Sequence, residues 1–220
     1  MMVAPEFVFI GGAAVIGGAV WMFQRASARK RREAYTEYCL IRGFQYNPQQ
    51  PDGERRFRDG FEPFQHGNSK SWRNTIAGVK NGAAFTAFEY QWTTGSGKSR
   101  RTNTRSGIIW ERGDAGLPRF ELQPEDLLSR LRNLFGTKDI DFFDSPEFSK
   151  AYRLEGPDES AIRKLFTPEI RRFFESTLDQ RVTAGGRFLI WWFSSKLPDA
   201  AALDEWLEQG DHVRRRFFNT

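Results

Sequence analysis

The sequence has little of what metal and redox chemistry needs. In 220 residues there is one cysteine, Cys39, and there are two histidines, His66 and His212. A single thiol excludes an intramolecular disulfide framework and any cysteine-rich zinc site. The histidines stand far apart and neither has a partner at ligand spacing, so no cofactor is expected. No serine occupies a G-x-S-x-G elbow. Gly95-Ser96-Gly97-Lys98-Ser99 imitates the end of a phosphate loop, but Trp92 stands where such a loop needs its first glycine, and Arg100 to Trp110 reads as strand rather than helix. Asp139, Asp141 and Asp144 fail the calcium-loop pattern because Phe143 takes the third ligand position. With Glu147 they leave one catalytic alternative, a carboxylate-dependent enzyme. The competing reading is a polar edge around Ile140, Phe142 and Phe143. No catalytic motif emerges, and the chain is expected not to be an enzyme.

Charge is missing altogether from Phe7 to Phe23, FVFIGGAAVIGGAVWMF. With Val3, Ala4 and Pro5 this run approaches the ~20 residues that cross a bilayer core. Acids are then missing from the collar that follows, Arg25, Arg29, Lys30, Arg31 and Arg32. Basic residues beside a spanning helix tend to stay cytoplasmic. The expectation is a single-pass anchor over residues 1–24, a basic juxtamembrane helix over 25–42, and a C-terminal part in the cytoplasm at the inner membrane. Ala26-Ser27-Ala28 resembles a signal-peptide cleavage site, but a signal peptide carries its positive charge before the apolar core, not after it. Ala13 and Gly17, and Ala14 and Gly18, have the spacing that lets helices approach in lipid. Self-association through the anchor is the corresponding expectation, against plain Gly/Ala abundance in spanning helices.

The net charge of +5 belongs to that collar. Five of the 33 basic residues and one of the 28 acids lie in residues 1–32, which leaves a balanced remainder of 28 against 27. A nucleic-acid binder should carry a basic face on the domain itself, so nucleic acid is not an expected partner. Anionic lipid at the collar is. One basic patch does lie in the domain: Lys98, Arg100, Arg101 and Arg105, with no acid between Glu89 and Glu111. It reads as a solvated hairpin tip or as a contact for lipid phosphate or an acidic partner. Arg29, Lys30, Arg31 and Arg32 join it as candidate lipid or partner contacts.

Aromatics are what the chain has in plenty, with 21 Phe and 7 Trp. That content requires a packed core. Gly43 should stop the first helix. Residues 43–70, with Pro48, Pro51, Gly53 and Gly60, read as irregular, and Asn47 to Gly60 as loop or mobile chain. From 71 to 220 the pattern is an α+β domain. Strands are expected around Trp72–Gly78, Ala83–Thr93, Thr102–Trp110 and Pro118–Leu122, with Asn81-Gly82 as a tight turn. A helix opens at Pro124 with the apolar stripe Leu127, Leu128, Leu131 and Leu134. Ser149–Glu155 reads as strand, and Asp158–Thr177 as a helix broken at Pro168. A hairpin through Gly185-Gly186 and a last helix from Asp199 to the end complete it. The sum is an antiparallel sheet with helices on one face. Phe120 to Asp126 echoes Tyr152 to Glu159, either as related strand–helix units or as ordinary capping grammar. Trp191 and Trp192 must point to opposite faces of a strand, so one of them should meet a helix, the membrane or a partner. Cys39 is a packed side chain or a palmitoylation site.

Gly43-Phe44, Ile76-Ala77-Gly78, Phe88-Glu89-Tyr90, Leu117 to Pro124, and Phe148-Ser149 with Tyr152 and Gly156-Pro157-Asp158-Glu159 together resemble uncharacterised bacterial membrane-anchored proteins with a cytosolic domain of unknown function. The resemblance covers residues 7–195 and implies a single-pass bacterial protein, with no known activity and no catalytic residue to carry over. The expected function is a non-catalytic, membrane-anchored domain that binds or scaffolds an unknown protein partner. The alternatives are an anionic-lipid surface module and the carboxylate-dependent enzyme.

Overall fold

The computed structural model describes residues 6–50, 57, 61, 64–65, 67–113, 116–125, 139–193 and 195–218, with backbone alone for 6–21 and 24. One long helix, α1 (Glu6–Arg42), comes first. It ends as the sequence predicts. Gly43 turns the chain at φ +70°, the Gly43 N–H donates to Leu40 O, and the Phe44 N–H donates to Cys39 O at 2.8 Å. This is the paired 5→2 and 6→1 closure that favours glycine. The charge-free run lies in the first part of α1, where side chains fall outside the described residues, as do the small-residue pairs. Among the described residues no helix is long and apolar enough to cross a membrane.

Eight strands then form one antiparallel sheet. They are β1 (Gln45–Gln50), β2 (Asn68–Lys80), β3 (Ala83–Thr94), β4 (Arg101–Glu111), β5 (Leu117–Pro124), β6 (Tyr152–Glu155), β7 (Arg181–Gly186) and β8 (Phe188–Phe193), in the order β1-β2-β3-β4-β8-β7-β5-β6. The first four make a meander. The chain then crosses to β5, adds β6 outside it as the far edge, and works back through β7 until β8 meets β4. One cross-strand row runs the whole width: Tyr46, Ile76, Ala87, Ile108, Trp191, Val182, Leu122 and Leu154. Period-2 alternation puts all eight on one face, and all but half-buried Tyr46 are core residues. The two echoing leucines, Leu122 and Leu154, are direct partners in this row.

The helices cover that face. α2 (Pro146–Ala151), α3 (Glu159–Leu165), α4 (Pro168–Ser176) and α5 (Leu203–Phe218) follow in order. The break before Pro168 falls where expected, and Thr167 caps α4 through its hydroxyl. Phe120, Phe166, Phe174 and Phe217 interlock between sheet and helices. Gly210 lets α5 lie close, because a Cβ there would stand 2.6 Å from Ile108 Cδ1 and 3.0 Å from the Trp191 ring. The stretch Ser149–Ala151 corrects the reading of Ser149–Glu155 as strand: Pro146 opens a short helix, and strand begins only at Tyr152. The helix expected after Pro124 lies outside the described residues from 126 to 138.

The opposite face is covered over its middle strands, by phenylalanines from a stretch that the sequence reads as irregular. β1 is an edge strand within that stretch. An edge tolerates Pro48 because one side of it donates no ladder bonds. Farther on, Phe57, Phe61 and Phe64 are buried with Trp72, Phe88, Tyr90, Ile109, Ile190 and Trp192 in a second core. Phe57 stacks on Trp72, and Trp72 on Phe88 at 4.2 Å. Phe64 meets Tyr90 at 5.1 Å and Trp192 at 5.2 Å. Phe57, Phe61 and Phe64 therefore plug this face of the sheet. Truncating a fully buried Phe leaves a cavity as well as losing transfer energy. Phe64→Ala should destabilise the fold by about 3–5 kcal/mol, measured by urea denaturation followed through tryptophan fluorescence; a loss under about 1 kcal/mol would mean that the plug does not support the fold.

Candidate functional site

The C-terminal third of α1 is fastened to the domain along one face. Arg31, Tyr35, Tyr38 and Arg42 recur at the three- and four-residue spacing that aligns side chains on a helix. Tyr35 and Cys39 enter the core, at 0% and 2% exposure. The Tyr35 hydroxyl donates to Pro198 O at 2.8 Å, and the Tyr38 hydroxyl to Asp204 Oδ1 at 2.7 Å. Arg42 pairs with the same Asp204 carboxylate. Burial raises both tyrosine pKa values above the ordinary phenol.

The strongest fastening is a buried charge. Glu89 stands on β3 at 2% exposure. Its face is the core face of the sheet, shared with Phe85 and Ala87. Arg31 Nη2 donates to Glu89 Oε1 and to Leu197 O, both at 2.6 Å. The Leu197 N–H donates to Oε1 at 3.0 Å, and Asn74 Nδ2 to Oε2 at 2.8 Å. Asn74 itself sits at φ +48° in an irregularity of β2 and accepts from the Tyr46 hydroxyl. The Arg31 guanidinium lies 5.1 Å from the Tyr35 ring centre. Burial works against the charge on Arg31, but the Glu89 carboxylate overrides it and raises the Arg31 pKa. One carboxylate thereby joins α1, β2, β3 and the segment after β8.

The candidate contacts divide accordingly. Arg31 leaves the set, because its guanidinium is spent on Glu89 and Leu197. Arg29, Lys30 and Arg32 remain exposed, with Arg29 in a surface pair to Glu33 at 3.3 Å. Lys98, Arg100 and Arg101 stand exposed at the β3–β4 hairpin, around a 3₁₀ turn at Gly97–Ser99. Arg105 lies back along β4, half-buried, 5.7 Å from the Trp192 ring centre. The two tryptophans are accounted for within the fold. Trp191 packs on Trp206 of α5 at 5.5 Å and Trp192 under Phe64, so neither offers a surface to a partner.

The acids take separate roles. Asp139 accepts the Leu154 N–H at 3.0 Å, and partial desolvation raises its pKa. Asp144 holds Arg171 through two bonds of 2.5 and 2.8 Å, and the hydrogen bond from Arg171 lowers its pKa. Glu147 pairs with Lys150 on the surface. A shallow open groove runs past Asp144, Glu147, Pro168, Arg172 and Glu175. Among the described residues no three His, Cys, Asp or Glu gather as a metal site. His212 pairs with Glu208, and His66 lies outside the described residues. Glu89 is the residue that sequence reasoning passed over as functional. Its signal was visible: an acid alternating in register with core Phe85 and Ala87.

Removing one partner from a buried ion pair leaves the other uncompensated, whereas removing both does not. Arg31→Met should cost about 3 kcal/mol, and Arg31→Met combined with Glu89→Leu less than the sum of the single changes; denaturation of all four chains in a mutant cycle reads the difference, and strict additivity would show that the pair does not act as a unit. Burial lifts the Cys39 thiol to about 11. The folded state thus favours the neutral thiol, so this stabilisation is complete below the unfolded thiol's pKa and fades as pH rises toward 11. Cys39 should resist maleimide at neutral pH until the protein is unfolded, and rapid labelling of the native chain would refute the packed reading over acylation.

No protein-family model matches the chain, and no curated protein matches it. In fold it is similar to the crystal structure of the mycobacterial trehalose monomycolate transport factor A, TtfA, with a TM-score of 0.59 and 11% sequence identity, over 87% of this chain and 94% of that one. At that identity the likeness is one of fold: a large antiparallel sheet with helices packed on it.

Proposed function

We propose that this chain is a non-catalytic, membrane-tethered scaffold of the bacterial inner membrane, whose cytosolic α+β domain binds a protein partner. The observation that carries the reading is the continuity of α1. Its backbone is helical from Glu6, through the charge-free run and the basic collar, to Arg42. Its last turns are then locked into the domain by the Arg31–Glu89 pair and by buried Tyr35 and Cys39. A helix fastened in this way does not act as a loose linker. It fixes the distance and rotation of the domain relative to whatever holds its N-terminal half. That suits a protein that must present a surface at a set height above a membrane. The solved structure that shares the fold is that of a transport factor, which supports a transport-linked role rather than a catalytic one. The resemblance to single-pass bacterial proteins supports the same reading.

Reporters active only in the periplasm or only in the cytosol, fused separately to Thr220, test it together with the intact mass and carbonate extraction of membranes. The expected result is a cytosolic signal, an uncleaved N-terminus and a carbonate-resistant chain. Periplasmic signal or release by carbonate would overturn the tethered, cytosolic reading.

A further inference from the structure

The β3–β4 hairpin and α1 point the same way. Tyr35 packs on Tyr46 at 5.7 Å, and Tyr46 shares its cross-sheet row with Ala87. One helical turn toward the N-terminus, Arg31 meets Glu89, which is two residues farther along β3. One turn of helix and two residues of strand advance nearly the same distance, so α1 toward its N-terminus and β3 toward its C-terminus climb together. At about 1.5 Å per helical residue and about 3.3 Å per strand residue, the end of β3 at Thr94 stands about 23 Å above the row. That is level with a position about 15 residues before Tyr35, within a turn of Phe23, where the charge-free run ends.

The hairpin tip therefore reaches the level at which the tether would leave lipid. Its chemistry fits that level. Lys98, Arg100 and Arg101 are exposed there, and the chain holds no acid from Tyr90 to Trp110. Half-buried Trp92 stacks on Tyr90 just below, at 5.1 Å, and tryptophan favours the headgroup level of a bilayer. Exposed Arg29, Lys30 and Arg32 stand on the helix about 14–19 Å below the tip, on the domain side of that level.

We propose that the β3–β4 hairpin tip is a second membrane contact, in which Lys98, Arg100 and Arg101 bind anionic phospholipid headgroups. Together with α1 it seats the domain at two points and sets its face toward the bilayer. This rests on the tethered reading for its geometry, since α1 supplies the first point. It concerns a different surface, and it can fail separately.

The test uses the full chain in vesicles, either purely zwitterionic or partly anionic, with a quencher on the lipid headgroups. Cys39 is buried, so a fluorophore can be placed on Ser96→Cys at the tip or on Gly113→Cys beyond the other end of β4. The expected result is quenching at position 96 that requires anionic lipid, and little at 113. Each neutralised cation should lower membrane partition of the tip about fivefold, so Lys98→Gln with Arg100→Gln and Arg101→Gln should lower it by about 100-fold. An unchanged melting temperature would show that the triple variant is folded. Equal quenching at 96 and 113, or quenching indifferent to lipid charge, would overturn the proposal. So would quenching abolished by inorganic phosphate at constant ionic strength, which would mark a free-phosphate site instead. Flotation of the same samples after carbonate reads the tether independently: a chain released by carbonate defeats the anchor, while the contrast between 96 and 113 before extraction still judges the tip.

Discussion

A buried carboxylate must be given donors, and Glu89 takes its donors from segments far apart in the chain. Arg31 comes from α1, Asn74 from β2 and the Leu197 N–H from the segment after β8. Each contact requires the others to be in place, because a half-satisfied buried charge is worse than none. The pair adds little net stability over an apolar substitute. What it fixes is arrangement: which turn of α1 meets the sheet, and how the chain leaving β8 lies across that helix. Tyr35, Tyr38 and Arg42 repeat the fastening down the same face.

The sheet beneath is buried on both faces across β2, β3, β4 and β8, which is unusual work for antiparallel strands that often leave one face wet. One face meets helices and the other meets a plug of Phe57, Phe61 and Phe64. This explains the aromatic load. Tryptophan and phenylalanine supply much buried area per residue, and a thin plug needs large side chains to close a sheet face. It also explains why Trp191 and Trp192 can stand side by side without either reaching solvent. A second charged network, Asp211 with Arg214 and Asn81, seats α5 against the β2–β3 turn.

These features give the molecule a rigid body joined without slack to its leading helix. Several of the acids serve that rigidity. Asp144 holds Arg171, Asp139 caps the Leu154 N–H, and Glu89 anchors Arg31. Exposed cations lie along the collar and at the hairpin tip, and also elsewhere on the body, at Arg73, Arg119, Lys164, Arg172 and Lys196.

Local chemistry wrote several parts of this structure plainly. Gly43 stopped a helix because only it closes the left-handed cap without strain. Asn81-Gly82 made a turn because both residues accept positive φ, and Pro168 divided a helix because it lacks a donor. Alternation placed Trp191 and Trp192 on opposite faces, and the antiparallel α+β character followed from strand-period segments joined by short turns. The partners of those elements were not legible. Phe57, Phe61 and Phe64 stand among prolines, glycines and charges, and nothing local says which sheet face they close; only the sheet beside them decides it. Arg31 is indistinguishable in sequence from Arg29, Lys30 and Arg32, and its inward turn depends on Glu89, 58 residues away. Sequence by itself determined most of the elements and their faces, because these depend on neighbours along the chain. Tertiary structure alone decided which charge was buried and which faced out, because a charge is buried only where distant segments bring it donors.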